Sequence, residues 1–428
     1  MPAARERRNF PLERTEGAGT LDGAERRDPV SPPSRSGSPG KGRADAPHRL
    51  TVLFIFLVFG SLSLGMGLVP ALITTFGTTY GLDGSQLANV QNLKDIGLVA
   101  AMFSGPVSLR RLGGVRTMML SLLAGILGCA VLILSKNYLG VLAGAFLHGA
   151  AFSLGSLAAV THLFRLPQRY HRIAGLSATF GVASFVAPSM VGALVAGDGG
   201  YEAVYVIYAC ALVAPLAGGV LLDRKTAARE RDVREAARPR LNGAVLRGWL
   251  PDIVVYATLM AVETVVVSWI TSLAQYRYGF TLADASFLLA LLWMVHTPSR
   301  AIGDVLAAHL REPVVMLLGV LLILLGNALI CAGPGLPVYA GTVVFAFGTA
   351  PLVPVFQGWA LTRSPAERHG QLSASLGVGA ALLTTVMVWL TGITMDLDAR
   401  LPFVVSAVGA AGLAVWAARR TALVKKPA

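Results

Sequence analysis

Twelve stretches of roughly twenty apolar residues follow one another from Leu50 to Ala418, and an apolar run of about 18 or more residues is long enough to cross the hydrocarbon core of a bilayer as a helix. The spans read as 50–76, 87–109, 117–135, 138–163, 173–196, 201–222, 248–273, 284–308, 312–332, 336–361, 370–393 and 401–418. Basic residues divide the connections into two sets. The N-terminal segment, alternate connections and the C-terminus hold 31 of the 36 Lys and Arg, whereas the opposite connections hold only Lys136, Arg277 and Arg400. Lys and Arg collect on the cytoplasmic side of membrane proteins, so both termini are expected there, with the chain as an integral multi-pass protein of the inner (plasma) membrane.

Composition agrees with the bilayer as solvent: 54% of residues are hydrophobic, 14% are charged and the mean hydropathy is +0.63. The net charge of +13 does not imply nucleic acid, because the excess sits in short inner loops where topology and anionic lipid headgroups account for it. Cys129, Cys210 and Cys331 lie within or at the ends of spans and read as packing residues rather than a disulfide framework.

Residues 1–49 read as a disordered basic cytoplasmic tail, since segments such as Ser31-Pro32-Pro33-Ser34-Arg35-Ser36 bury too little apolar surface to offset ordering entropy. Arg7-Arg8 has the look of a twin-arginine export signal, but the apolar core such a signal needs does not follow it. A cytoplasmic central loop, 223–247, separates an N-terminal six-helix bundle (50–222) from a C-terminal one (248–420), and residues 421–428 form a short cytoplasmic tail. In the central loop, the alternating charges of Arg229-Glu230-Arg231-Asp232-Val233-Arg234-Glu235 suit a short helix along the inner surface.

The two halves resemble each other. Leu176-Ser177-Ala178-Thr179-Phe180-Gly181-Val182-Ala183 shares five of eight residues with Leu372-Ser373-Ala374-Ser375-Leu376-Gly377-Val378-Gly379, and Pro167 with Arg169, Pro365 with Arg368, and Gly149 with Gly348 precede the two copies comparably. Parallel six-helix repeats are a recognised transporter plan. Six plus six spans, a basic central loop, inner termini and these repeats resemble the major facilitator superfamily over about residues 50 to 420. The resemblance implies an all-α membrane protein with two pseudo-symmetric six-helix bundles. Gly105 to Arg116 occupies the place of that superfamily's Gly, Asp, Arg loop signature but lacks the Asp, and Gly181 with Ala187-Pro188-Ser189-Met190-Val191-Gly192 is similar to a Gly-Pro motif frequent in antiporters.

Chemistry is expected at ionisable groups inside the membrane, each costing roughly 2.5–3.5 kcal/mol on insertion scales and so facing a cavity or a partner. Glu263 stands mid-span with Tyr256 before it and Trp269 after it, a pattern similar to that of proton-coupled members of the superfamily. Desolvation penalises a carboxylate's charge, so such a group suits carrying a proton; it suits equally an interhelical strut. Arg300 and His296 are four apart and share a helix face, and Arg300 with Gly303 is similar to the substrate-anion site of monocarboxylate and oxalate porters. The alternative for Arg300 is a structural pair with Asp304. Lys94 and Asp95, adjacent and so about 100° apart around a helix, face a polar vestibule or glue helices together. His148 is a third candidate for proton exchange, or a hydrogen-bonded packing residue.

Nothing in the sequence carries a phosphate-cradling motif, a metal-ligand spacing or a nucleophile elbow, so neither an enzyme nor a cofactor is expected. The reading is a monomeric secondary transporter moving a small polar or anionic organic solute by alternating access, driven by protons, with Arg300, His296, Lys94 and Trp269 on the substrate and Glu263, Asp95 and His148 on the proton. Its alternatives are proton-antiport efflux of an amphiphilic drug or metabolite, and a transporter-shaped receptor or scaffold. A reporter active only outside the cytoplasm, fused after Ala428, is expected to stay silent; activity there would refute inner termini.

Overall fold

Every long apolar stretch forms a helix, because the chain itself must satisfy all backbone polar groups where water is absent. The computed structural model describes residues 41–167, 170, 173–195, 200–226, 243–365 and 368–424, with Ala46–Ala428 as one compact unit. The tail as far as residue 40 and the charged core of the central loop, 227–242, lie outside the described residues. The helices are α1 (Lys41–Ala71), α2 (Ile73–Tyr80), α3 (Gly84–Leu112), α4 (Gly114–Ser135), α5 (Tyr138–Phe164), α6 (Ile173–Val195) and α7 (Gly200–Thr226) in the first half. The second half holds α8 (Gly243–Ser272), α9 (Leu282–His309), α10 (Glu312–Ala332), α11 (Leu336–Thr349), α12 (Leu352–Thr362), α13 (His369–Met395) and α14 (Leu401–Val424).

Two spans are broken. Span one divides into α1 and α2 at Leu72, just after Pro70, and span ten into α11 and α12 at Ala350-Pro351; proline has no N–H to continue the ladder. The end of α8 widens into a π-turn over Leu273–Arg277. Among the described residues eleven helices are long and apolar enough by hydropathy to cross a membrane. The twelfth, α3, has 29 residues and so is roughly 44 Å long, ample to span; its hydropathy is diluted by the buried Gln91, Asn92 and Lys94. Twelve spans therefore arrange as two six-helix bundles. Apolar side chains such as Leu134, Leu139 and Phe103 point outward, the inverse of a soluble protein and the arrangement lipid requires.

We call the end holding the basic connections the basic face and the other the far face. Three helix starts at the far face, those of α3, α5 and α9, are capped by short polar side chains: Asp83 accepts from Gln86 N–H at 2.8 Å, Asn137 from Gly140 N–H at 2.8 Å and Thr281 from Asp284 N–H at 3.1 Å. Bonds from the Ser85 hydroxyl and the Gln86 amide hold the Asp83 carboxyl below its usual range. At the basic face Gly113, at φ 81°, turns α3 directly into α4. Arg116 there pairs with Asp223 of α7 at 3.0 Å, so the arginine of the Asp-less loop finds its carboxylate at the end of its own half. In the other half Arg363 pairs with Asp252 at 2.6 Å and lies 3.5 Å from the centre of the Trp359 ring.

The halves meet along two antiparallel pairs, α6 with α9 and α3 with α13, and through α2 with α8. Glycine permits the approach. A Cβ on Gly181 would overlap the side chain of Thr297, and one on Gly392 would overlap Ala88 and come within 2.6 Å of the Gly84 carbonyl. Gly181 and Gly377 are equivalent positions of the repeated octapeptide, and each sits at one of these contacts, Gly377 opposite Met102. Gly392→Val is expected to force α3 and α13 apart at the far face. Spin labels at the exposed Lys136 and Leu397 should then report a longer distance than in the parent chain, and an unchanged distance distribution would show the crossing to be slack.

Candidate functional site

Between the halves lies a cavity of about 330 Å³, to which α1, α3 and α6 contribute from one side and α8, α9 and α13 from the other. Helical phase selects its lining. On α8 the lining residues Tyr256, Met260, Glu263 and Val267 repeat every three or four positions, and on α9 Trp293 and Arg300 stand seven apart, two turns along one face. On α6 and α13 the equivalent positions Ser184 and Ala380 both line the cavity, one on each copy of the repeat.

Four ionisable groups predicted from sequence meet here: Lys94 and Asp95 from the first half, Glu263 and Arg300 from the second. Adjacent on α3, Lys94 and Asp95 leave the helix in different directions, yet the long lysine stem brings Nζ to 3.6 Å from Asp95 Oδ1 and to 3.2 Å from Gln91 Oε1. His296 lies directly behind Glu263, Nε2 to Oε1 at 3.4 Å, within ion-pair range but not aligned as a hydrogen bond. Both are buried.

Three cavity-lining residues keep unused polar atoms: among the described residues no hydrogen-bond partner reaches Asp95 Oδ2, Arg300 Nε or Trp293 Nε1. Unpaired buried polar groups cost about 1–3 kcal/mol each, and such groups at a cavity wall are the ones a solute can satisfy. The side chain of Asp304, the alternative partner for Arg300, lies outside the described residues.

Two predicted residues fall elsewhere. Trp269 is fully buried away from the cavity and donates from Nε1 to Thr391 Oγ1 at 2.9 Å, fastening α8 to α13. Six residues beyond Glu263, it lies about 120° around α8 from the cavity face. His148 is buried in the first half, with Nδ1 2.7 Å from the Gly144 carbonyl and its ring against Tyr205 and Tyr208. Sequence reasoning missed Trp293, whose ring meets Phe180 edge-on across the halves at 5.6 Å and stands beside His296. Its sevenfold spacing from Arg300 was the available signal.

The far side of the cavity is closed. Thr271 donates to the Pro70 carbonyl at 3.2 Å, Gln275 donates to Thr74 Oγ1 at 2.8 Å, and the Gly84 N–H at the start of α3 donates to both oxygens of Asp396, at 2.9 and 3.1 Å. Asp396 thus places negative charge at the N-terminus of a helix in the other half, where the dipole favours it.

The family profile described as Major Facilitator Superfamily matches residues 50–314. The chain belongs to this superfamily. Solved structures agree on the fold. A nucleoside transporter, NupG, superposes with TM-score 0.69 at 14% identity, covering 88% of this chain and 100% of its own. A D-xylose-proton symporter gives 0.70 at 10% identity over 86% and 96% of the two chains. A POT family transporter in complex with 5-aminolevulinic acid gives 0.72 at 12% identity over 89% and 97%. No curated protein matches this superfamily member by sequence.

The two tryptophans separate by experiment. Trp269→Phe removes the donor to Thr391 and should lower stability by about 1 kcal/mol, read as a lower unfolding temperature, while leaving apparent solute affinity unchanged. Trp293→Phe should do the reverse.

Proposed function

We propose that this member of the superfamily is a proton-coupled secondary transporter that moves a small polar or anionic organic solute by alternating access. The observation that carries the reading is the meeting of Arg300 and Glu263, the latter backed by His296, in one cavity between two halves sealed at the far face. By the distribution of Lys and Arg the basic face is cytoplasmic, so this conformation faces inward, in the inner (plasma) membrane.

In this scheme Arg300 is the fixed positive charge that attracts the solute's anionic group, since a guanidinium stays charged and offers two parallel donors to a carboxylate. Glu263 carries the coupled proton in this scheme, with His296 Nε2 3.4 Å away at the same level of the membrane to balance its charge. Protonation of the pair changes the charge facing the solute and links proton movement to occupancy; differential stabilisation of the two conformations is what any such coupling requires. Opening the far face requires breaking the Gly84–Asp396, Gln275–Thr74 and Thr271–Pro70 contacts. A similar D-xylose-proton symporter supports proton coupling on this fold, but its 10% identity transfers no substrate.

A second reading, proton-driven efflux of an amphiphilic compound, draws support from the lining by Met66, Met102, Met260, Phe180 and Trp293, because flexible thioethers and aromatic faces accommodate varied apolar shapes. Its ligands would gain affinity with apolar area and lose little when Arg300 is replaced.

In proteoliposomes, Glu263→Gln is expected to abolish the dependence of flux on the pH gradient while sparing exchange at equal pH, since the amide mimics the protonated acid in shape. Arg300→Lys should weaken apparent affinity about tenfold or more by losing the planar two-donor contact. Wild-type gradient-driven flux in the glutamine variant would remove Glu263 as carrier, and unchanged affinity in the lysine variant would return Arg300 to a structural role.

A further inference from the structure

The charges that line the cavity come in equal numbers: Lys94 and Arg300 against Asp95 and Glu263. A site whose own charges already balance gains little by admitting an isolated charge, whose desolvation goes uncompensated. The unused valences carry both signs. Trp293 Nε1 and Arg300 Nε are donors on α9, whereas Asp95 Oδ2 is an acceptor on α3, across the cavity in the other half. On the same walls, Lys94 is engaged by Gln91 and by the other Asp95 oxygen, and Glu263 is engaged by His296.

We propose that the solute is a zwitterion, with a carboxylate held by Arg300 and Trp293 and an ammonium held by Asp95. The proposal rests on the transport reading above and names the substrate class for its site. A net-neutral molecule with separated charges satisfies all three unpaired atoms at once and leaves the charge of the cavity unchanged. Because its two ends are held by different halves, it also bridges the surfaces that must move together when the cavity is occluded. Asp95 is then a solute anchor, and the proton task is left to Glu263 and His296. The cavity's 330 Å³, the liquid volume of about eleven waters, has room for a solute the size of an amino acid or a slightly longer ω-amino acid.

The test uses the full-length protein in lipid nanodiscs and three matched series of probes: linear ω-amino acids from three to eight carbons together with the α-amino acids, the corresponding acids lacking the amine, and the corresponding amines lacking the carboxylate. Thermal stabilisation reads binding, and counterflow in proteoliposomes reads transport. At least one zwitterion should bind about tenfold or more tightly than either of its matched halves, in line with one charged hydrogen bond lost at each end. The chain length of best binding would measure the span from Arg300 to Asp95. Asp95→Asn should erase the preference over the matched acid while the acid itself still binds, and Arg300→Lys should erase the preference over the amine. The wild-type ranking is informative even where a variant fails to fold.

Acids that bind as well as the zwitterions, or a preference unchanged by Asp95→Asn, would overturn the zwitterion while leaving an anion carrier whose entering charge is balanced by a proton. Binding by tetraphenylphosphonium in place of all three series would overturn it together with the polar-solute reading, in favour of amphiphile efflux. The absence of binding by any of these probes would also sink both.

Discussion

The approach of two pairs of backbones sets what else this molecule can do. Where α3 crosses α13 and α6 crosses α9, glycines let the helices approach closely, and the far face closes through backbone groups: the Pro70 carbonyl, the Gly84 amide and the Gly84 carbonyl. In hydrocarbon there is no hydrophobic force to press helices together, so close packing and polar contacts must do it. With the halves held this tightly at one end, the space between them tapers into a cavity instead of opening as a pore. The costly charges of Lys94, Asp95, Glu263 and Arg300 are tolerated because they line that space in balanced number.

Most of the fold was legible in the sequence, for a reason specific to membranes. Bilayer thickness fixes span length, and the distribution of Lys and Arg separates one set of connections from the other, so twelve helices can be counted without knowing one tertiary contact. The repeated octapeptide carried more than its modest identity suggested, since Gly181 and Gly377 stand where the halves touch, its Phe180 reaches the cavity, and so do Ser184 and Ala380, the residues just after each copy. The breaks after α1 and α11 were not read, although Pro70 and Pro351 announced them.

The site was legible only in part. Glu263 and Arg300 were found because an ionisable residue in a span is conspicuous whatever it touches. Trp269 was attached to Glu263 by proximity in sequence, whereas six positions on a helix turn a side chain away from its companion; Trp293, seven from Arg300, obeyed the phase and was passed over. His148 could not have been placed by phase at all. Whether α5 faces the cavity or the bundle interior depends on how α3 and α4 pack on it and where the α7 tyrosines meet His148, which is tertiary information.

The start of α3 is held by two carboxylates from different halves. Asp83 belongs to the same chain segment and stays with the helix in every conformation, whereas Asp396 is a visitor from α13. When the far face parts, the amides of that first turn are therefore never left bare: one cap leaves, the other remains, and water reaches the rest. The contact is accordingly a weak latch, worth the difference between an aspartate and a water molecule at an exposed helix end. Charge–dipole attraction of this exposed kind fades as mobile ions accumulate. The ionic strength on the far side of the membrane thus acts directly on the balance between the two conformations, favouring the closed one in dilute surroundings and loosening it in brine.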